Sequence, residues 1–152
     1  MIFRKKYRKA VFMVTYAIEN KKPAYIIQKR KLHWKGWEFP KGGVERFESK
    51  RKTIRREIAE ETGLEIKKIT NHKYGGKYLY PKIFADRPDI IGQTYELYSV
   101  EVCKGKIKID KKEHSSSKWV TYKEAMGKLT QDNQKQSLKI VNCWLKEKIN
   151  KK

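Results

Sequence analysis

Residues 42–64, GGVERFESKRKTIRREIAEETGL, constrain this chain more than any other stretch. Glu57, Glu60 and Glu61 are separated by three and four residues, so a helix brings their carboxylates to neighbouring positions on one face, where they repel without a counter-charge. Ser49 offers an N-cap for a charged helix running to about Thr62, and Gly63 suits the position just past its C-terminus. Ile54 and Ile58 occupy another face at i, i+4 spacing and anchor the helix to a sheet, which makes the acids a rigid platform. Carboxylate oxygens held in this way suit Mg²⁺ or Mn²⁺, which bridge a few protein carboxylates and substrate phosphates while keeping waters. Such a metal neutralises phosphate charge and activates water for attack on phosphorus. The plain alternative is a solvated helix whose acids pair with Arg55, Arg56 or nearby lysines, each pair stabilising by about 0.3–0.5 kcal/mol.

The rest of the chain supplies a sheet for that helix. Residues 10–18 and 24–28 are apolar and β-prone, and the polar run 19–23 between them reads as a hairpin connection. Gly42 and Gly43 predict a flexible loop, residues 66–69 a short strand, and Gly75 and Gly76 a turn. Residues 93–102 form a long central strand and 118–120 a brief one. Thr121 and Glu124 have capping-box spacing for a helix through about Leu129. A last helix runs from about Asn133 to Ile149, with Leu138, Val141, Leu145 and Ile149 on one face and Trp144 beside them. No repeat or linker divides the chain, so residues 1–152 read as one domain whose Lys-rich end frays after Ile149. Strands interspersed with a middle and a terminal helix indicate a mixed α/β sandwich, although periodicity alone does not fix its topology.

Composition agrees with one core and one site. A chain of 152 residues, 38% hydrophobic and 12% aromatic, holds enough apolar material for a packed interior. Lys and Arg number 38 against 17 Asp and Glu, and the net charge of +21 attracts polyanions, which favours phosphate-bearing ligands. Cys103 and Cys143, the only cysteines, form no short-spaced metal or dithiol motif, which points to a reduced, cytoplasmic protein. The basic start and the apolar run after it continue without a small-residue cleavage site, and no run reaches the roughly 18 apolar residues that suggest a membrane span.

The acids sit inside a pattern that resembles the Nudix signature G-x5-E-x7-R-E-U-x-E-E-x-G-U, where U is a bulky aliphatic residue. Gly42, Glu48, Arg56, Glu57, Ile58, Glu60, Glu61, Gly63 and Leu64 fill every fixed position, and the preceding WEFPKG resembles the strand leading into the family's loop. The resemblance implies an α/β/α sandwich with a mixed sheet, and a hydrolase that uses Mg²⁺ or Mn²⁺ to cleave a diphosphate linkage. It implies Glu57, Glu60 and Glu61 as metal ligands, with the Gly42 carbonyl as a further one. It further implies that Arg56 orients Glu57 and that Glu48 supports the loop or an additional metal. On the same resemblance Glu57, Arg56 and Glu61 form the expected catalytic set, with Glu57 a candidate base, though the acid that deprotonates water varies among members.

Substrate choice lies outside the signature. Lys41 reads as a phosphate contact or a solvated lysine, Lys73, Lys77 and Lys82 as a basic rim or ordinary surface, and Tyr74, Tyr78, Tyr80 and Phe84 as base-stacking rings or sheet packing. HWKGWEFPKGGVE and KKEHSSSKWVTYKEA resemble the diadenosine tetraphosphate hydrolase branch, with Glu113, His114 and Trp119 matching its recurring EH and downstream W. That resemblance implies Glu113 near the metal, His114 on phosphate or on a backbone group, and water-driven cleavage of a dinucleoside tetraphosphate to a nucleoside triphosphate and a monophosphate. The close alternative is an RNA 5′ pyrophosphohydrolase or decapping enzyme, which shares the WxFPxG lead-in, suits the charge and is faintly echoed at Gly92 and Gln93. Nucleoside triphosphate cleanup is a third enzymatic reading. A non-catalytic module that binds nucleotide or RNA is a reading of another class, and the intact signature acids argue against it.

Overall fold

The fold is organised by β1 (Lys6–Glu19), whose residues 10–17 are all buried; the computed structural model describes residues 5–109 and 111–151. Phe12, Val14 and Tyr16 join one apolar cluster, while Val11 and Met13 join another. Alternate side chains of one strand thus enter two cores, which requires a covering layer on each face of the sheet.

Asn20 and Lys21, both left-handed at φ 53° and 60°, turn β1 into β2 (Lys22–Arg30). This two-residue hairpin is tighter than the connection expected from residues 19–23, and it matches the twist of the paired strands. β2 then pairs antiparallel with β3 (Gly36–Glu38) and with β7 (His114–Val120). β4 (Lys41–Gly43) lies antiparallel on β1, and β6 (Ile90–Val102) runs parallel to β1. β5 (Ile66–Leu79) completes a seven-stranded mixed sheet as the antiparallel partner of β6.

On one face, α1 (Lys50–Glu61) inserts Ile54 and Ile58 among Val11, Met13, Ile26, Tyr98 and Val100. Full burial of each isoleucine stabilises by about 1.5–3 kcal/mol, which fixes the helix against the sheet as its i, i+4 spacing predicts. On the other face, Leu138, Val141 and Leu145 of α3 (Asp132–Asn150) pack with Phe12, Tyr16 and Tyr25, and α2 (Tyr122–Lys128) adds Ala125. The Tyr25 hydroxyl donates to Asn142 Oδ1 at 2.7 Å and ties α3 to β2. The result is the expected α/β/α sandwich.

The caps follow the sequence closely. Ser49 accepts from the Lys52 N–H, Thr121 and Glu124 form a complete capping box, and Gly63 takes φ 68° after α1.

The paired glycines depart from expectation. Gly42 and Gly43 lie in β4, not in a flexible loop, and serve close approach: a Cβ would meet Glu57 Cγ at 2.4 Å from position 42 and Arg8 Nη2 at 2.3 Å from position 43. Gly75 and Gly76 lie inside β5, not in a turn, just after a register shift between Asn71 and Gly75 that lengthens the short strand expected at 66–69. The frayed end expected after Ile149 is helical to Asn150, and Lys152 lies outside the described residues.

Candidate active site

Helical rotation of about 100° per residue separates the three acids of α1. Glu57 and Glu61, one turn apart, face the sheet, whereas Glu60 is rotated toward solvent with its side chain 54% exposed. The three carboxylates thus keep neighbouring positions on the helix, with Glu57 and Glu61 turned inward and Glu60 at the exposed rim beside Arg56.

Arg56 fixes the first of these. Its Nε and Nη2 donate to the two oxygens of Glu48 at 2.8 and 2.9 Å, its Nη1 to Glu57 Oε1 at 2.7 Å, and its Nη2 also to the Gly43 carbonyl at 3.1 Å. The fork geometry of a guanidinium makes this clamp directional. Glu48 further accepts from Thr53 Oγ1 at 2.6 Å and from the Glu45 N–H at 3.2 Å. Hydrogen bonds from Arg56 and Thr53 hold its carboxyl at about 2. Its oxygens are therefore committed to the loop, the first of the two roles open to it.

Glu57 and Glu61 show the opposite electrostatics. Burial pushes the Glu57 carboxyl up to about 7, against the pull of Arg56 and with help from the charges of Glu60 and Glu113. Burial, then Glu57, Glu38 and Glu113, push Glu61 well above the usual carboxylate range. Neither carboxylate oxygen of Glu61 has a hydrogen-bond partner among the described residues. A buried carboxylate without a partner is costly, and a hard divalent cation supplies the missing charge. Ligating atoms of Glu61, Glu113 and His114 all lie within 4.8 Å of one another, so the residues present fit such an ion.

Behind them lies a polar knot that sequence reading missed. Glu38, fully buried, accepts from His114 Nε2 at 2.9 Å and Arg30 Nη1 at 3.1 Å, with Lys41 Nζ at 3.5 Å. Burial alone raises its carboxyl, but Lys41, the His114 hydrogen bond and Arg30 together hold it at about 2. Burial pushes the Lys41 ammonium down, opposed by Glu38. His114 is completely enclosed here; the structure joins it to Glu38, not to an open phosphate position or a backbone group.

A cavity of about 230 Å³ opens beside these groups. Glu57 and Glu113, with Gly42 beside them, form its acid side, and Lys41 stands next to Gly42. Arg8, Arg30, Lys82 and Arg87 give it cationic walls, and Trp34, Tyr78, Tyr80 and Phe84 supply aromatic surface. Lys41, Tyr78 and Tyr80 all line this cavity. Lys77 is exposed outside the cavity over the Tyr7 ring, 5.3 Å from its centroid, and Tyr74 packs against the core. Arg8, Arg30 and Arg87 carried no motif; β1 pairing with β4, the end of β2 and the loop before β6 bring them in. Gln93, noted only faintly, lines the cavity and accepts from the Tyr80 hydroxyl at 2.9 Å.

His33 joins two loops at this cavity. Its Nδ1 receives Arg87 Nη2 at 3.1 Å, which leaves Nε2 to donate to Asp86 at 3.0 Å, while its ring lies 4.5 Å from Phe84. Together these groups can hold a chain of phosphates in the cationic walls, with the linkage beside Glu57 and a base against an aromatic.

Comparison with known proteins places the chain in a family and matches its fold. The NUDIX domain model matches residues 6–141. An RNA pyrophosphohydrolase from Baumannia cicadellinicola is 32% identical over 108 residues, covering 64% of this chain and 68% of the relative. Another RNA pyrophosphohydrolase, from Nitratiruptor sp., is 31% identical over 127 residues, covering 80% of this chain and 82% of the relative. A solved NUDIX hydrolase from Listeria monocytogenes superposes with TM-score 0.76 at 21% identity, over 92% of this chain and 95% of the other. A C. elegans Ap4A hydrolase superposes with TM-score 0.68 at 20% identity, over 92% and 98%.

Proposed function

This chain belongs to the Nudix family of pyrophosphate-bond hydrolases, and from that premise we propose that it trims 5′-triphosphorylated RNA to the 5′-monophosphate, releasing pyrophosphate. The observation that carries the reading is the cavity itself, where Arg8, Arg30, Lys41, Lys82 and Arg87 surround the space next to Glu57. Phosphate oxygens meet fixed donors there, close to the acids that take a metal.

Two facts favour RNA over a dinucleotide. The curated relatives reported above are named RNA pyrophosphohydrolases. The net charge of +21 also far exceeds what a small dinucleotide needs, whereas it suits the many phosphates of an RNA chain. The residues that pointed to the dinucleotide branch have structural work to do: His114 is enclosed against Glu38, and Trp119 Nε1 donates to the Gly105 carbonyl at 2.9 Å. Glu113 alone of that set faces the cavity, and it serves either substrate.

A divalent ion, Mg²⁺ or Mn²⁺, held by Glu57, Glu61 and Glu113 would neutralise phosphate charge and activate water. The chain's own residues do the rest. Arg56 holds Glu57 through one oxygen and Glu48 through two, so the loop and helix present a fixed acid edge. Glu57 lines the cavity with one oxygen held by Arg56, which leaves the other oxygen free to accept a proton from the attacking water. The cationic walls balance charge on the departing pyrophosphate.

Among the described residues no helix is long and apolar enough to cross a membrane, and both cysteines are free. The test is product identification from 5′-triphosphorylated RNA with Mg²⁺ or Mn²⁺ and with chelator. Pyrophosphate and 5′-monophosphorylated RNA should form only with metal; their absence would refute the proposal.

A further inference from the structure

We infer that Phe47 is a stacking platform for a base of the single-stranded RNA beyond the 5′ end, an inference that rests on the RNA reading above. Phe47 is 94% exposed and its backbone is left-handed at φ 64°. Such a backbone favours glycine, and a bulky side chain there is strained. Exposure of the ring adds a second disadvantage. Among the described residues, the guanidinium of its neighbour Arg46 lies over the ring, 5.0 Å from its centroid.

Among the described residues the fold makes no visible use of this ring. The structural bonds of the loop belong to other residues: the Glu45 N–H donates to Glu48, and Glu48 grips Arg56 and Thr53. What the ring does have is position. Phe47 stands one residue before Glu48, which Arg56 links to Glu57, and four residues after Gly43, which lines the cavity. That chain length keeps it within roughly 14 Å of Gly43. An RNA whose 5′ phosphates occupy the cavity therefore has its next nucleotides within reach of the ring.

The surroundings select the occupant. Glu45, Arg46, Ser49, Arg51 and Lys52 are all exposed and polar, so among the described residues of this loop Phe47 is an exposed aromatic in a charged segment. A protein interface or a lipid surface asks for a larger apolar area. A single base asks for one flat face with cations nearby for its phosphates, which Phe47 with Arg46, Arg51 and Lys52 supplies.

The experiment compares wild type with Phe47→Ala, Phe47→Trp and Phe47→Gly. Wild-type pyrophosphate release from RNA is measured first, with Mg²⁺. Binding of a fluorescent 5′-triphosphorylated single strand is then followed with Ca²⁺ in place of Mg²⁺, and ATP affinity is read by competition. Phe47→Ala should weaken RNA binding by about tenfold or more, Phe47→Trp should restore it, and ATP affinity should stay within about twofold throughout. Phe47→Gly should weaken RNA equally while raising Tm by roughly 2–4 °C, because it removes the strained backbone.

Wild-type turnover of RNA with unchanged RNA binding by Phe47→Ala would overturn the platform alone and assign the ring to another partner, such as a protein. Equal loss of ATP and RNA binding, or a fall in Tm for Phe47→Gly, would place the ring in the site's own architecture instead. Failure of wild type to bind or hydrolyse RNA would overturn the RNA reading and the platform with it.

Discussion

Gly42 matters because of what faces it: a Cβ there would stand 2.4 Å from Glu57 Cγ and 2.5 Å from its Cδ. Gly42→Ala must therefore push the Glu57 carboxylate aside. A displacement of about 1 Å at a reacting group costs on the order of a hundredfold in rate, so turnover should fall by about that much while circular dichroism shows an intact fold. Unchanged kcat would mean that Glu57 is not held where it acts. Glu61 gives the complementary test, since its buried carboxylate has two unpartnered oxygens. Glu61→Gln should abolish metal-supported turnover, yet at pH of about 8 the metal-free variant should melt above metal-free wild type, because an amide carries no charge to bury. A lower metal-free Tm would show that Glu61 holds the fold together without metal.

Single elements explain what could be read in advance. α1 was legible end to end because its signals are local: Ser49 caps it, Ile54 and Ile58 anchor it, and Gly63 ends it. Arg56 and Glu48 lie far enough apart that only the folded loop reveals a two-toothed clamp. Gly42, Gly43, Gly75 and Gly76 were misread because turns and close packing both demand glycine, and only the neighbouring strand distinguishes them. Glu38 was invisible for a similar reason. Its partners Arg30, Lys41 and His114 come from β2, β4 and β7, and no sequence spacing brings these together. Removing one member of such a buried set strands the others. Glu38→Gln should therefore destabilise by about 3 kcal/mol, measured by urea unfolding, and a loss under about 1 kcal/mol would contradict the knot's importance.

Across the whole molecule, opposed carboxylates set the response to pH. The folded value of Glu57, about 7, lies above its ordinary 4.5, so between these values the folded protein keeps a proton that the unfolded chain has released. Its stabilising contribution is full below the unfolded value and declines as pH rises toward 7; Glu61 acts in the same direction. Glu38, held at about 2, acts inversely and loses its contribution as pH falls through 4.5 toward that value. Metal-free Tm should thus fall between pH of about 5 and 8, and Mg²⁺ should raise Tm most at the alkaline end. A flat profile would mean that Glu57 and Glu61 are ordinary surface acids.

The same scale holds the central claim, that a basic α/β/α sandwich directs its acid edge at RNA 5′ ends. The most direct measurement mixes 5′-triphosphorylated RNA and diadenosine tetraphosphate at equal concentration with one enzyme sample and Mg²⁺, and follows both sets of products. Pyrophosphate and monophosphorylated RNA should appear first, at a kcat/KM about tenfold or more above that for the dinucleotide. Earlier accumulation of ATP and AMP would contradict the account and make the dinucleotide the substrate.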